Sequence, residues 1–152
     1  MISKDDKLLS SLQSLCARKE YCSTDIYKKA LKGLEGDEEA AADMVALLVK
    51  DRFVDDLRYA TAFARDKACL DGWGPVKIAF HLRGKRIPDG TVDEALAAVD
   101  ADKADARMRA VVEAKARTLK GDPEIRLKLL KFGLQRGYEY SRLDPAVRAI
   151  LA

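Results

Sequence analysis

Few of the 152 residues belong to types that carry covalent chemistry. His81, the single histidine, stands four positions after Lys77 with no nucleophile motif nearby, so it reads as a solvated or partner-facing imidazole rather than a general base. Cys16, Cys22 and Cys69 form an odd set without C-x-x-C spacing, which argues against a zinc site and against a disulfide framework. Cys16 continues an apolar helical face and Cys69 falls near the end of another helix, so both read as packing thiols. The adjacent carboxylates Asp55 and Asp56 open a helix and do not converge on one point, so they could hold a cation only with ligands from elsewhere. Gly84-Lys85 is followed by Arg86 and lacks the upstream glycine of a phosphate loop, and no H-E-x-x-H run occurs. The residues give no catalytic site, no metal site and no cofactor site, and the chain reads as a binding protein.

What remains is charge. Residues 1–50 and residues 51–100 each hold 8 Lys+Arg against 9 Asp+Glu, whereas residues 101–152 hold 12 against 7, so the net +3 is concentrated in the last third. The excess is densest between Arg107 and Arg136, where Arg107, Arg109, Lys115, Arg117, Lys120, Arg126, Lys128, Lys131 and Arg136 face only Glu113, Asp122 and Glu124; of these Lys115, Arg126, Lys128, Lys131 and Arg136 are the candidate contacts. A smaller cluster, Lys77, Arg83, Lys85 and Arg86 with His81, lies near a helix end, where cations also offset the helix dipole. Such cations can bind phosphates in a salt-sensitive, sequence-independent way, dock an acidic protein surface, or form a solvated face with no partner. Trp73 between two glycines reads as a buried anchor, and Phe132 and Tyr138 read as core. No interleaved aromatic platform for single strands stands out.

These side chains must be positioned by helices, because apolar residues recur at helical spacing and no strand alternation competes. Ile87, Val92, Leu96 and Val99 match Tyr138, Leu143, Val147 and Ile150 at a constant offset, and Ala41, Val45 and Leu48 reproduce the same rhythm after a linker two residues longer. The order basic, small or basic, apolar precedes each set: Lys32-Gly33-Leu34, Lys85-Arg86-Ile87 and Arg136-Gly137-Tyr138. The expected architecture is all-α: three tandem three-helix repeats, about residues 1–50, 51–100 and 101–152, forming one elongated, curved array. The first helices carry Leu8, Leu12, Leu15 and Cys16, then Leu57, Ala60, Phe63 and Ala64, then Met108, Val111, Val112 and Leu119. The second helices are expected to begin near Ser23 or Thr24, at Pro75 and at Pro123. The third open at Asp37, at Thr91 with Glu94 closing a capping box, and near Asp144-Pro145.

Composition agrees. A chain that is 48% hydrophobic, 35% charged and 7% aromatic suits a helical protein with a real core. No apolar run approaches the length of a membrane span, and the N-terminus lacks a signal peptide's apolar stretch, so a cytoplasmic, non-membrane protein is expected.

One stretch carries more information than any other. In Asp51-Arg52-Phe53-Val54-Asp55-Asp56-Leu57-Arg58-Tyr59-Ala60, Asp55 can cap the helix, Asp56 complements its dipole and Phe53-Val54 can staple its first turn. This wording continues through Phe63-Ala64-Arg65, Gly72-Trp73-Gly74, Lys77-Ile78 and Leu82-Arg83-Gly84-Lys85-Arg86-Ile87 to Ala95-Leu96. Over about a third of the chain it resembles the central segment of the RecX family, regulators of the RecA recombinase. The matching framework positions are Phe53, Asp55, Asp56, Tyr59, Ala60, Ile78, Leu82 and Ile87, with Gly137 and Tyr138 as repeat counterparts. Arg86 stands where the family has a glycine, so either Gly84 supplies the left-handed turn or the helix exit differs. The resemblance implies a non-enzymatic, cytoplasmic, monomeric modulator that binds the RecA–single-stranded DNA filament. It further implies limits on ATP hydrolysis, strand exchange and repressor cleavage, hence on recombinational repair and the SOS response, with single- or double-stranded DNA as a further partner. The alternative is a general DNA- or RNA-binding helical protein acting without RecA.

Overall fold

The computed structural model describes residues 3–152, and among these nine α-helices and no strands occur. They run α1 (Lys4–Arg18), α2 (Ser23–Gly33), α3 (Glu38–Lys50), α4 (Asp56–Cys69), α5 (Pro75–Gly84), α6 (Asp89–Ala97), α7 (Ala101–Thr118), α8 (Ile125–Gln135) and α9 (Tyr140–Leu151). Each consecutive trio forms one unit. The accessible surface is 9619 Å². A compact monomer of this mass would expose about 7,700 Å², so the array is elongated.

Each unit has its own core. Leu12, Ile26, Ala30, Ala41, Leu48 and Val54 fill the first, Ala60, Ala64, Ile78, Leu82, Ile87 and Val92 the second, and Met108, Val112, Leu129, Leu143 and Val147 the third. Phe53 and Val54 were expected to staple α4, yet both pack into the first unit's core. Cys22 crosses the other way, into the second unit's core. Adjacent units therefore share side chains at their seams. Leu57, expected on the core face of α4, is exposed.

The joints between units have a common plan: the N-terminus of one second helix abuts the C-terminus of the next unit's second helix. Thr24, in the first turn of α2, donates through its hydroxyl to the carbonyl of Lys85, the C-cap of α5, at 2.7 Å. Gly74, the N-cap of α5, donates its N–H to the carbonyl of Arg136, the C-cap of α8, at 2.7 Å, and Val76 donates to the Gly137 carbonyl at 3.0 Å. A side-chain hydroxyl at the first joint and free N–H groups at the second thus meet the carbonyls that end another helix, and the dipoles stack head to tail.

The third helices begin at Glu38, Asp89 and Tyr140, a constant spacing of 51. The linker of the first unit is therefore no longer than the others. That spacing corrects two expected starts. Residue Thr91 lies inside α6, whose N-cap is Pro88 without a side-chain cap, so the Thr91–Glu94 capping box does not form. Pro145 lies in the second turn of α9, where it removes only the bond that would run back to Ser141. Pro123 also stands outside its helix, because the Asp122 carboxylate accepts the Glu124 N–H at 2.8 Å and holds a turn before α8.

One left-handed residue in each unit follows the same register. Glu35, Arg86 and Gly137 have φ of 57°, 61° and 93°. The first unit's counterpart of Gly137 is therefore Glu35, whereas Gly33 is helical. Arg86 adopts the left-handed conformation itself, and Gly84 ends α5 as an ordinary helical residue. Only Gly137 must lack a side chain, because a Cβ there would overlap Lys77, and a Cβ on Gly74 would overlap the Gly137 backbone. Both sides of that joint are glycine because backbone lies on backbone.

Candidate nucleic-acid and partner interface

Residues of the RecX-like stretch form the frame. Asp55 caps α4, its carboxylate accepting the Arg58 N–H at 2.9 Å. Asp56 does more than complement a dipole: it accepts the Ser23 N–H at 2.7 Å and so caps α2 across the seam. Ala60, Ile78, Leu82 and Ile87 are buried, with Tyr59 packed against them. Tyr138 is buried too, and its hydroxyl donates to the Gly72 carbonyl at 2.6 Å; burial pushes that phenol upward, partly offset by Arg136 and Arg107.

The candidate cations are not brought to one face. Lys85 donates to Asp25 at 2.7 Å across the first joint. Burial alone would raise the Asp25 carboxyl, but hydrogen bonds from Lys85 and the Cys22 thiol outweigh it and hold the carboxyl below its usual range. The bond to Asp25 raises Lys85 in return. The Cys22 thiol, buried and beside Asp25 and Asp56, is pushed up to about 11, so it is an inert packing group. Arg83 pairs with Asp89 at 2.8 Å, and Arg86 points to solvent.

On α8 the positive charge is largely neutralised. Arg126 pairs at 2.9 Å with Asp144, which also takes Arg148 at 3.0 Å and is only 7% exposed. Lys128 pairs with Asp122, which lies below the usual carboxylate range because Lys128 and the Glu124 N–H bind it. Arg136 is a strut: its guanidinium donates to the carbonyls of Asp71 and Gly72 and lies over the Phe132 ring at 5.7 Å. Lys115 covers the same ring at 5.5 Å, so Phe132 is a half-buried platform for cations instead of a core residue. Lys131 is the remaining candidate on α8, exposed and without an ion-pair partner among the described residues.

Trp73 is likewise half-buried, and it organises a polar surface. His81 lies 4.7 Å from its ring, Lys77 at 4.2 Å and Lys67 at 4.6 Å, the last also paired with Asp71 at 2.9 Å. Beside this group Phe80 is 74% exposed, the largest value among the exposed apolar side chains, and Val76 joins it one turn away. Leu127 on α8 occupies the position equivalent to Val76 and is exposed as well. Sequence reasoning missed this aromatic edge because Phe80 falls between the buried Ala79 and Leu82 in a helix that reads as apolar almost throughout.

A further run of unpaired positive charge lies on α7. Lys103, Arg107, Arg109 and Arg117 are exposed and have no ion-pair partner among the described residues, as does Lys120 just beyond the helix. Among the described residues no group of three or more His, Cys, Asp or Glu could hold a metal ion, and no helix is long and apolar enough to cross a membrane.

Comparison with known proteins bears on this arrangement. The family model described as RecX, second three-helix domain, matches residues 55–96, which are α4 to α6. A regulatory protein RecX of Clostridium botulinum (strain Alaska E43 / Type E3) is 30% identical over 125 residues, covering 80% of this chain and 57% of the relative. A regulatory protein RecX of Chlorobaculum tepidum is 29% identical over 116 residues, covering 76% of this chain and 71% of the relative. The chain thus spans little more than half the length of the first of these. Two crystal structures share the fold: a regulatory protein RecX with TM-score 0.81 and 22% identity, covering 97% of this chain and 71% of that one, and RecX from Lactobacillus salivarius with TM-score 0.80 and 17% identity, covering 97% and 96%.

Proposed function

Because the chain belongs to the RecX family, we propose that it is a non-enzymatic regulator of the RecA recombinase that binds the RecA–single-stranded DNA filament as a cytoplasmic monomer. Binding along the filament would inhibit ATP hydrolysis, strand exchange and filament-promoted repressor cleavage, and so restrain recombinational repair and the SOS response. The observation that supports this reading best is the joint. Head-to-tail contact of the second helices holds three units at a regular spacing of 51 residues, and an elongated array of repeated units suits a partner that is itself repetitive. Phe80, Val76 and Leu127 offer apolar anchors on consecutive units, ringed by Lys77, Arg83 and Lys131.

The test compares binding of labelled protein to bare single-stranded DNA and to the same DNA coated with RecA and a slowly hydrolysed ATP analogue, at an ionic strength of about 0.15 M. A strong preference for the coated strand is the expected result. Binding to neither would remove RecA regulation and leave a helical repeat protein of another purpose.

A further inference from the structure

We propose that the solvent face of α7, with the groove between it and the end of α4, is a track for the sugar–phosphate backbone of a nucleic acid. This deepens the reading above by making the strand itself a direct contact, and it assigns that contact to residues other than Arg126 and Lys128 of α8, whose charges are already paired.

At 3.6 residues per turn, Lys103, Arg107 and Arg117 share an arc of about 100° with Ala106, Ala110 and Ala114. All six are exposed. The acids of the same helix lie outside this arc, Asp102 and Glu113 to one side and Asp105 toward the third unit's Arg142. Alanines between cations leave a low floor on which a backbone can approach, and the planar guanidinium groups match phosphate oxygens. The groove beside this face has a volume of about 650 Å³ and is lined by Arg65, Leu70, Lys103, Ala106, Arg107 and Ala110. Its two carboxylates are engaged: Asp66 lies 3.6 Å from Arg65, and Asp100 accepts the Lys103 N–H at 3.1 Å as the cap of α7.

Length and chemistry select the ligand. Lys103 to Arg117 spans about 21 Å at 1.5 Å per residue, too long for one phosphorylated small molecule. A protein partner would be anchored by large apolar side chains at the centre of its interface. The α7 face has none, and only Leu70 reaches the rim of the groove. Cations on a smooth floor without base-reading side chains give affinity for backbone and no sequence preference.

The test uses the full chain and a labelled oligothymidylate without RecA, so its failure is separable from failure of filament binding. The variant K103Q/R107Q/R117Q is compared with K28Q/K29Q/K32Q, which removes the same charge from the exposed face of α2, and circular dichroism establishes that both are folded. The α7 variant should lose at least about tenfold in affinity near 0.15 M salt, and its plot of log K against log salt should flatten by about 2, from 0.7 per phosphate contact. The α2 variant should stay within about twofold of the parent protein. Equal binding by the α7 variant, or equal loss in both variants, would overturn the proposal. So would a parent protein that ignores the oligothymidylate while its RecA-filament binding depends on the α7 cations, which would make the face a dock for acidic protein.

Discussion

The two joints of the array do the same mechanical job with different chemistry. Between units one and two the contact is made by side chains: Thr24 on the Lys85 carbonyl, Asp25 on the Lys85 ammonium, and Asp56 on the Ser23 N–H. Between units two and three it is made by backbone on backbone, Gly74 and Val76 against Arg136 and Gly137, with Arg136 and Tyr138 closing over the Gly72 carbonyl. A side-chain joint tolerates a Cβ at its left-handed residue, so Arg86 can stand there. The backbone joint does not, so its counterpart is Gly137. The lesson is that a repeat can keep its geometry while exchanging the groups that hold it, provided the spare helix-end donors and acceptors are satisfied.

The largest expected effect strikes the backbone joint. Gly74→Ala places a Cβ into the Gly137 main chain, where no flexible side chain can yield, and should destabilise the protein by about 3 kcal/mol, the upper range for overpacking. Gly84→Ala, with open space at the Cβ, is its control and should be neutral or slightly stabilising. Thermal melting of the two variants checks this, and similar melting points would refute the close contact. Tyr138→Phe removes one buried hydrogen bond at the same joint and should cost about 1–2 kcal/mol, readable by urea denaturation.

At the side-chain joint, pH is the sharper tool. Hydrogen bonds hold the folded Asp25 carboxyl below its usual value despite its burial, so its contribution is present above the unfolded pKa and is lost as pH falls through the folded one. Lys85 is raised in the fold, so its contribution is present below the unfolded pKa and is lost as pH rises through the folded one. Acidification below about pH 4 should therefore weaken the first joint first. Asp25→Asn should be less stable than the parent near neutrality by at most about 1 kcal/mol, because the pair is partly exposed. The two proteins should converge in acid, and a difference that persisted at low pH would exclude the pair as its cause. The smallest change is a gain: Arg86→Gly relieves a left-handed arginine, offset by glycine's greater freedom when unfolded, and should stabilise by about 0.5–1 kcal/mol. A drop in melting temperature would mean that the Arg86 side chain makes a contact worth more than the strain.

Much of the frame was legible in the residues. Asp55 as a cap and Pro75 at the start of α5 follow from patterns a few residues long, the burial of Ile87 and the three-unit rhythm from the repeat offset, and Ile78 and Leu82 as framework positions from the family resemblance. The errors cluster where a helix starts without any side-chain cap. Thr91 and Asp144 are plausible N-caps by type, yet α6 and α9 start earlier, at the spacing that the repeat imposes. Trp73 read as a buried anchor and Phe132 as core, yet both are half-buried seats for Lys77, Lys67, Lys115 and Arg136, because those cations arrive from other turns and other helices.

The candidate site shows the boundary most clearly. The sequence by itself determined an all-helical repeat and a cationic third unit, because helical periodicity, punctuation and net charge are local or additive. Which cations remain available was decided only by tertiary structure. Arg126 meets Asp144 across 18 positions, Lys85 meets Asp25 across 60, and Arg136 reaches Gly72 across 64. Pairing of that kind depends on which helix ends the fold brings together, so within the cationic stretch from Arg107 to Arg136 the charges of Arg126 and Lys128 are taken up while Arg107, Arg109 and Arg117 on α7 stay free.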